Sequence, residues 1–272
     1  MPVAQNSRAE IIAPDRCAVR LVSAGGCAFL MCSSLLAAAT QRAPVAPQAP
    51  GAHNRNTVPA KPPAIVVGFV GGYVQHDDAV HAPVQLAERL RGAYLSGVHV
   101  EVFENHRREQ AFQEILKLLD ADHDGTLSER EKRDARIVIY GVSWGGSETV
   151  ALARELEQEN VPVLLTIQVD SIAKMGQNDA VIPGNVAEAA NFYQVQGWLH
   201  GQTEIRAADA SRTRIFGNFR FDYKSQPPQC GNYPWYDRLF VKQHVAIECD
   251  PAVWKQVESL IRSKLPPSGK LQ

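Results

Sequence analysis

The chain has 272 residues, 45% of them hydrophobic and 21% charged, and a formal net charge of -1. That length and apolar content suffice for a full buried core, and the charge balance is ordinary for a globular protein. Charges of both signs are interspersed and form no basic cluster dense enough to track a phosphate backbone, which argues against a nucleic-acid partner.

The N-terminal stretch "CAVRLVSAGGCAFLMCSSLLAAAT" is an apolar, small-residue run preceded by Arg16, with Arg20 near its start and Ala37-Ala38-Ala39 near its end. It reads as a cleaved secretory signal over 1–39, which makes the protein exported, periplasmic or secreted. From Leu21 to Ala39 the run approaches a bilayer-spanning length. The alternative is therefore a membrane anchor, and membrane contact is expected only through such an uncleaved segment. The Pro- and Ala-rich stretch over 40–63 has no hydrophobic period and reads as an extended linker. One folded domain is expected over 64–265, about 200 residues, followed by a short tail over 266–272.

Within that domain, apolar runs and helical periods alternate. Strands are expected over 64–70, 97–103, 136–141 and 161–170, each a short, largely β-branched run. Between them, "DDAVHAPVQLAERLRGAYL", "RREQAFQEILKLLD" and "GGSETVALARELEQ" carry helical spacing. This alternation predicts an α/β fold, a mainly parallel sheet with crossover helices. Beyond Asp170 the pattern weakens: "IRAAD" and "RIFGNFRFD" are candidate strands. A terminal helix then opens with Asp250 as N-cap and Pro251 at its first position.

Gly141-Val142-Ser143-Trp144-Gly145 matches G-x-S-x-G, between a short apolar strand and a helix. That context turns a common pentapeptide into a nucleophile elbow: a serine on a strained strand-to-helix turn, its hydroxyl raised above the sheet at a helix N-terminus. The N–H of Trp144 is then a candidate oxyanion donor, and the loop after the first strand supplies a second from Phe69 or Val70, with Gly71-Gly72 allowing close approach. A serine needs a base and the base an orienting acid. Asp170 ends the strand after the elbow helix, where an acid points into the crevice of an open sheet. His200 and His244 both follow it; His244 is preferred because it precedes the last helix, in what reads as a loop.

Upstream of the elbow, "DADHDGTLSERE" places Asp120, Asp122 and Asp124 at positions one, three and five, Gly125 at six, Leu127 at eight and Glu131 at twelve. This is the spacing of an EF-hand-type calcium loop. Gly125 makes the sharp turn, Thr126 offers its carbonyl, Ser128 binds directly or through water, and Glu131 closes the sphere. One structural calcium ion is the expected cofactor, with no organic cofactor; no partner hand follows, so a sensor role is not expected.

"IVIYGVSWGGSETVALA", "GFVGG", a later Asp and a late His together resemble the α/β-hydrolase superfamily of esterases and lipases, over 64 to 265. Within it, 169–194 is similar to a bacterial esterase- or lipase-like subgroup whose members are mostly uncharacterised. Many relatives have His before the nucleophile, where this chain has Val142. The resemblance implies an α/β-hydrolase fold and acyl-transfer chemistry on a small-molecule or lipid ester. The alternative is a non-catalytic, calcium-dependent binding protein on the same scaffold. Three of five cysteines lie in the leader, leaving Cys230 and Cys249 to pair or stay free in an oxidising compartment.

Overall fold

A strand buried on both faces must be apolar on both, and Ala64–Val70 (β1) is buried at every position. Ile65, Val67 and Phe69 enter one core cluster, Val66 and Val70 the other. The same division holds in Ile137–Val142 (β3), where Ile137 and Ile139 face one way and Val138 and Tyr140 the other. The structure, a computed structural model, describes residues 61–268; the leader, most of the linker and the last four residues lie outside the described residues.

Between β1 and Val98–Glu104 (β2) runs Ala82–Ala93 (α1). Arg108–Leu119 (α2) and the short Glu129–Asp134 (α3) lead from β2 to β3, and Trp144–Gln158 (α4) leads from β3 to Val163–Val169 (β4). Past β4 the crossovers carry no helix. They hold the two-residue strands Val181–Ile182 (β5) and Arg206–Ala207 (β7), which pair with each other, on either side of Val186–Gln194 (β6). The chain then forms Arg214–Phe221 (β8), Trp235–Phe240 (α5), Lys242–Cys249 (α6) and Pro251–Arg262 (α7).

The main sheet has six strands in the order β2-β1-β3-β4-β6-β8, every neighbouring pair parallel. α1 and α7 cover one face, with Leu86, Leu90, Trp254, Val257 and Ile261 in its core. α2 and α4 cover the other, with Ile115, Leu119, Val150 and Leu156. This is an α/β architecture, a mainly parallel sheet flanked by helices. At the amino end of α7 the Asp250 side chain accepts from Ala252 N–H at 2.8 Å, with Pro251 next, as an N-cap should.

Because all six strands run the same way, the segments after β1, β3, β4 and β6 leave the sheet at one edge. In open parallel sheets ligands bind at that carboxyl edge. Among the described residues no helix is long and apolar enough to cross a membrane.

Candidate active site

Ser143 joins β3 to α4 with φ 57° and ψ −127°, a left-handed conformation that costs an L-residue about 1–3 kcal/mol and persists only where its surroundings enforce it. Three backbone hydrogen bonds do so here. Ser143 N–H donates to Val169 O at 3.0 Å, and Ser143 O accepts from Gly146 N–H at 2.9 Å and from Ile172 N–H at 3.1 Å. Gly145 is required by space, since a Cβ there would lie 2.5 Å from Phe69 O and 2.7 Å from Val70 O. The elbow helix therefore seats directly on the end of β1. Ser143 is 9% exposed, at the positive end of the fifteen-residue α4.

The candidate oxyanion donors lie on either side of the serine. Trp144 is the first residue of α4, and its ring meets Tyr73 edge to face at 5.8 Å. Phe69 and Val70 are the last two residues of β1, both fully buried, with Phe69 in register with Gly141. The turn itself begins at Gly71, where a Cβ would lie 2.8 Å from Ser143 Cβ. The backbone of that turn thus lies against Ser143 at Gly71.

Asp170 follows β4 directly and is fully buried. Its Oδ2 stands 2.7 Å from His244 Nδ1 and accepts from Gln194 Nε2 at 2.9 Å. Its Oδ1 accepts from Gly201 N–H at 2.9 Å and from Gln194 N–H at 3.3 Å. A carboxylate beside Nδ1 assigns the imidazole proton to that nitrogen and leaves Nε2 as the acceptor. Gln194 is a site residue that the sequence reading missed. It closes β6, and its side chain also donates to Leu199 O at 3.1 Å, which folds 199–201 around the acid. His200 sits on that wrap but is exposed, its Nδ1 3.4 Å from Gly201 O. The structure therefore brings His244, not His200, to Asp170.

His244 differs from expectation in its setting: it lies in the first turn of α6, not in a loop, and is 7% exposed. Three ties hold that short helix. A disulfide joins Cys230 to Cys249 with a Cα separation of 5.7 Å, a normal span for such a bridge. Glu248, one turn beyond His244, pairs with the buried His81 at 2.7 Å. Trp254 Nε1 donates to Glu248 O at 2.5 Å. Burial, reinforced by the Glu248 charge, pushes the nearby Tyr233 phenol well above its ordinary value, so it stays protonated in this setting.

The acidic loop connects α2 to α3. Carboxylate oxygens of Asp120, Asp122 and Glu131 all lie within 4.8 Å of one another. Asp120 accepts from Asp124 N–H at 3.1 Å and Gly125 N–H at 3.0 Å, curling the chain inward around Gly125, whose φ is 83°. Asp124 is turned to Thr126, accepting from its N–H and hydroxyl at 2.8 Å each. Glu131 accepts from Ala121 N–H at 2.8 Å and shares a capping box with Ser128 at the start of α3. Desolvation, then the charges of Asp124, Glu131 and Asp120, raise the Asp122 carboxyl above its usual range. Asp120, Asp122 and Glu131 thus gather hard oxygen donors around one point, the chemistry calcium prefers, while Asp124 is engaged with Thr126.

No family model matches the chain, and no curated protein matches it. Solved structures do. A cutinase-like protein from Cryptococcus sp. is 12% identical with a TM-score of 0.38, covering 76% of this chain and 97% of that one. Human thioesterase 2 is 12% identical with a TM-score of 0.33, covering 78% and 99%. An arylesterase is 14% identical with a TM-score of 0.29; the match covers 41% of this chain and only 38% of the arylesterase. The fold assignment stands on the chain's own strand order and elbow.

Proposed function

We propose that the protein is a serine hydrolase cleaving a carboxylic ester. The observation that carries this reading is the 2.7 Å contact between Asp170 Oδ2 and His244 Nδ1, an acid and a base 74 residues apart, at the sheet edge where Ser143 occupies a strained elbow. In the proposed reaction Ser143 Oγ attacks the ester carbonyl while His244 Nε2 takes its proton and Asp170 stabilises the imidazolium. The tetrahedral oxyanion is met by the Trp144 N–H at the head of α4 and by backbone N–H groups from 69–72. Collapse breaks the bond to the alcohol oxygen, which leaves with the proton from His244. Water, deprotonated by His244, then frees the acid and regenerates the serine. Tyr73, 92% exposed and stacked edge-on against Trp144 beside the nucleophile, offers apolar surface suited to a small-molecule or lipid ester.

Asp120, Asp122, Asp124, Thr126, Ser128 and Glu131 would hold one calcium ion. When bound, it neutralises their mutual repulsion and fastens α2 to α3, ahead of the nucleophile strand. The first 39 residues are proposed to direct export.

The test compares wild type with Ser143→Ala on a panel of p-nitrophenyl esters, with mass spectrometry after a fluorophosphonate probe. Wild type should turn over the esters and take one adduct on Ser143. The variant should lose roughly 10⁴-fold or more in turnover and stay unlabelled. An inert, unlabelled wild type would sink the hydrolase reading and favour a calcium-dependent binding protein.

A further inference from the structure

The turn after β1, which abuts Ser143, is held by side chains from other elements. Val74 N–H donates to Gly71 O at 3.2 Å, closing a turn whose second residue, Gly72, has φ 46°. The Gly72 carbonyl accepts from Asn105 Nδ2 at 2.5 Å. Asn105 directly follows β2 and is 4% exposed. Its own carbonyl accepts from Lys174 Nζ at 2.6 Å, and the same ammonium pairs with Glu148 Oε1 at 2.8 Å. Glu148 lies in the second turn of α4 and is 1% exposed, and it also binds Gln177 Nε2 at 3.0 Å and Arg108 Nη1 at 2.6 Å.

A buried carboxylate with three donors, two of them cationic, is fully compensated, and removing a partner from such a cluster is costly. This one is therefore a fixed point on the elbow helix. From it a continuous path of polar contacts runs through Lys174 and Asn105 to the carbonyl of Gly72. The nucleophile and the turn facing it are thereby tied to the same helix, although they come from different strands. None of these side chains has a part in the proton transfers above.

We propose that Asn105, backed by Lys174 and Glu148, is a positioning residue: it holds the 71–74 turn against Ser143 so that the backbone N–H groups at the start of that turn meet the developing oxyanion. This rests on the serine-hydrolase reading. The physical reason to expect a rate effect is that such donors act by preorganisation, and displacements near 1 Å cost about 10²-fold. Asn105→Ala removes the contact to Gly72 and keeps the backbone carbonyl that Lys174 binds. Lys174→Met removes the backing and leaves Asn105 in place.

The experiment measures kcat and KM for a short p-nitrophenyl ester, the inhibition constant of a trifluoromethyl ketone, whose serine adduct carries an oxyanion, and Tm. Asn105→Ala should lower kcat about 10- to 100-fold and weaken the ketone in proportion, with KM within about threefold. Lys174→Met should shift kcat and the ketone in the same direction by less, and Lys174→Arg should recover most of the loss. If Asn105→Ala does not fold, the two Lys174 variants decide. An active wild type whose folded variants keep kcat, or lose kcat with unchanged ketone affinity, overturns the positioning role alone. A wild type inert to ester, ketone and fluorophosphonate overturns the hydrolase reading as well.

Discussion

The two halves of the proposed catalytic constellation are positioned by different physics. Ser143 is placed by backbone: a strand buried on both faces runs into a sharp turn, three main-chain hydrogen bonds fix its angles, and Gly145 lets α4 seat on β1. His244 is placed by cross-links: a short helix tied down by a disulfide, a His81–Glu248 pair and the Asp170 carboxylate. The first arrangement rests on main-chain contacts with Gly146, Val169, Ile172 and the end of β1, and is hard to disturb without unfolding the sheet. The second joins residues far apart, so single side-chain changes should release it while the elbow persists.

Asp170→Asn tests the contrast most severely. All four contacts of the Asp170 carboxylate come from donors or from His244 Nδ1, and an amide NH₂ can accept from none of them. The histidine should lose its tautomer and orientation, lowering kcat by roughly 10⁴-fold, as for an acid-to-amide change in a serine protease triad. Stability should fall by about 2 kcal/mol from the mismatched buried donor. If the elbow is independent, crystals of the variant will keep Ser143 at positive φ. A displaced Ser143 would show that the halves are not separable.

Removing the disulfide with Cys230→Ser and Cys249→Ser is a gentler break. The bridge closes a loop of 19 residues that carries α5 and α6, and opening a loop of that size costs about 3 kcal/mol. Denaturant unfolding should show that loss. Turnover should fall while fluorophosphonate labelling still reaches Ser143 slowly, because only the base is loosened. Unchanged stability on reduction would mean that the His81–Glu248 pair and Trp254 hold α6 unaided.

The same contrast explains what could be read in the sequence. The elbow was legible because its strand, glycines and helix are consecutive and each obeys a local rule, and the 64–70, 97–103, 136–141 and 161–170 segments all lie in or around observed strands. β6 was not legible, although it is an interior strand. Val186-Ala-Glu-Ala-Ala-Asn-Phe-Tyr-Gln has little β-branched content, and its role follows from pairing with β4 and β8. α6 was missed because five consecutive residues from His244 to Glu248 are buried, so no helical stripe stands out. His244 was thus identified by order along the chain, while its helix, and Gln194 behind Asp170, needed the tertiary structure.

Calcium should act on the elbow side without touching the base. For a site of the affinity seen in extracellular modules, calcium at a hundred times Kd should add about 2.7 kcal/mol. In a domain of this size that is roughly 5–10 °C in Tm. Asp122→Asn is the sharper control than a Glu131 variant, because Glu131 also caps α3, while Asp122 makes one contact at 3.3 Å with Asp124 N–H. The variant should lose the calcium-dependent shift and fold as before. A calcium shift that survives Asp122→Asn undiminished would place the ion elsewhere.

The smallest expected effect, and one of opposite sign, concerns Asp179 beneath the elbow. Its Oδ2 accepts from Ser171 Oγ at 2.5 Å, and Ser171 packs against the start of α4, where a Cβ on Gly146 would lie 2.7 Å from Ser171 Cβ. Burial raises the Asp179 carboxyl above its ordinary value, outweighing the Ser171 hydrogen bond and the Arg154 charge. A carboxyl whose folded pKa is raised binds protons more tightly folded than unfolded, so stability is greatest below the unfolded value, near 3.9, and declines as pH rises through the folded one. Asp179→Asn keeps an acceptor for Ser171 and removes the charge. It should therefore raise Tm slightly at pH 7 and leave it unchanged near pH 3, with kcat preserved, since main-chain bonds set the serine. Thermal melts across pH check the sign. A variant less stable at neutral pH, or one with reduced kcat, would mean that side chains help to place the nucleophile after all, and that the division between backbone and cross-link is less sharp than the elbow alone suggests.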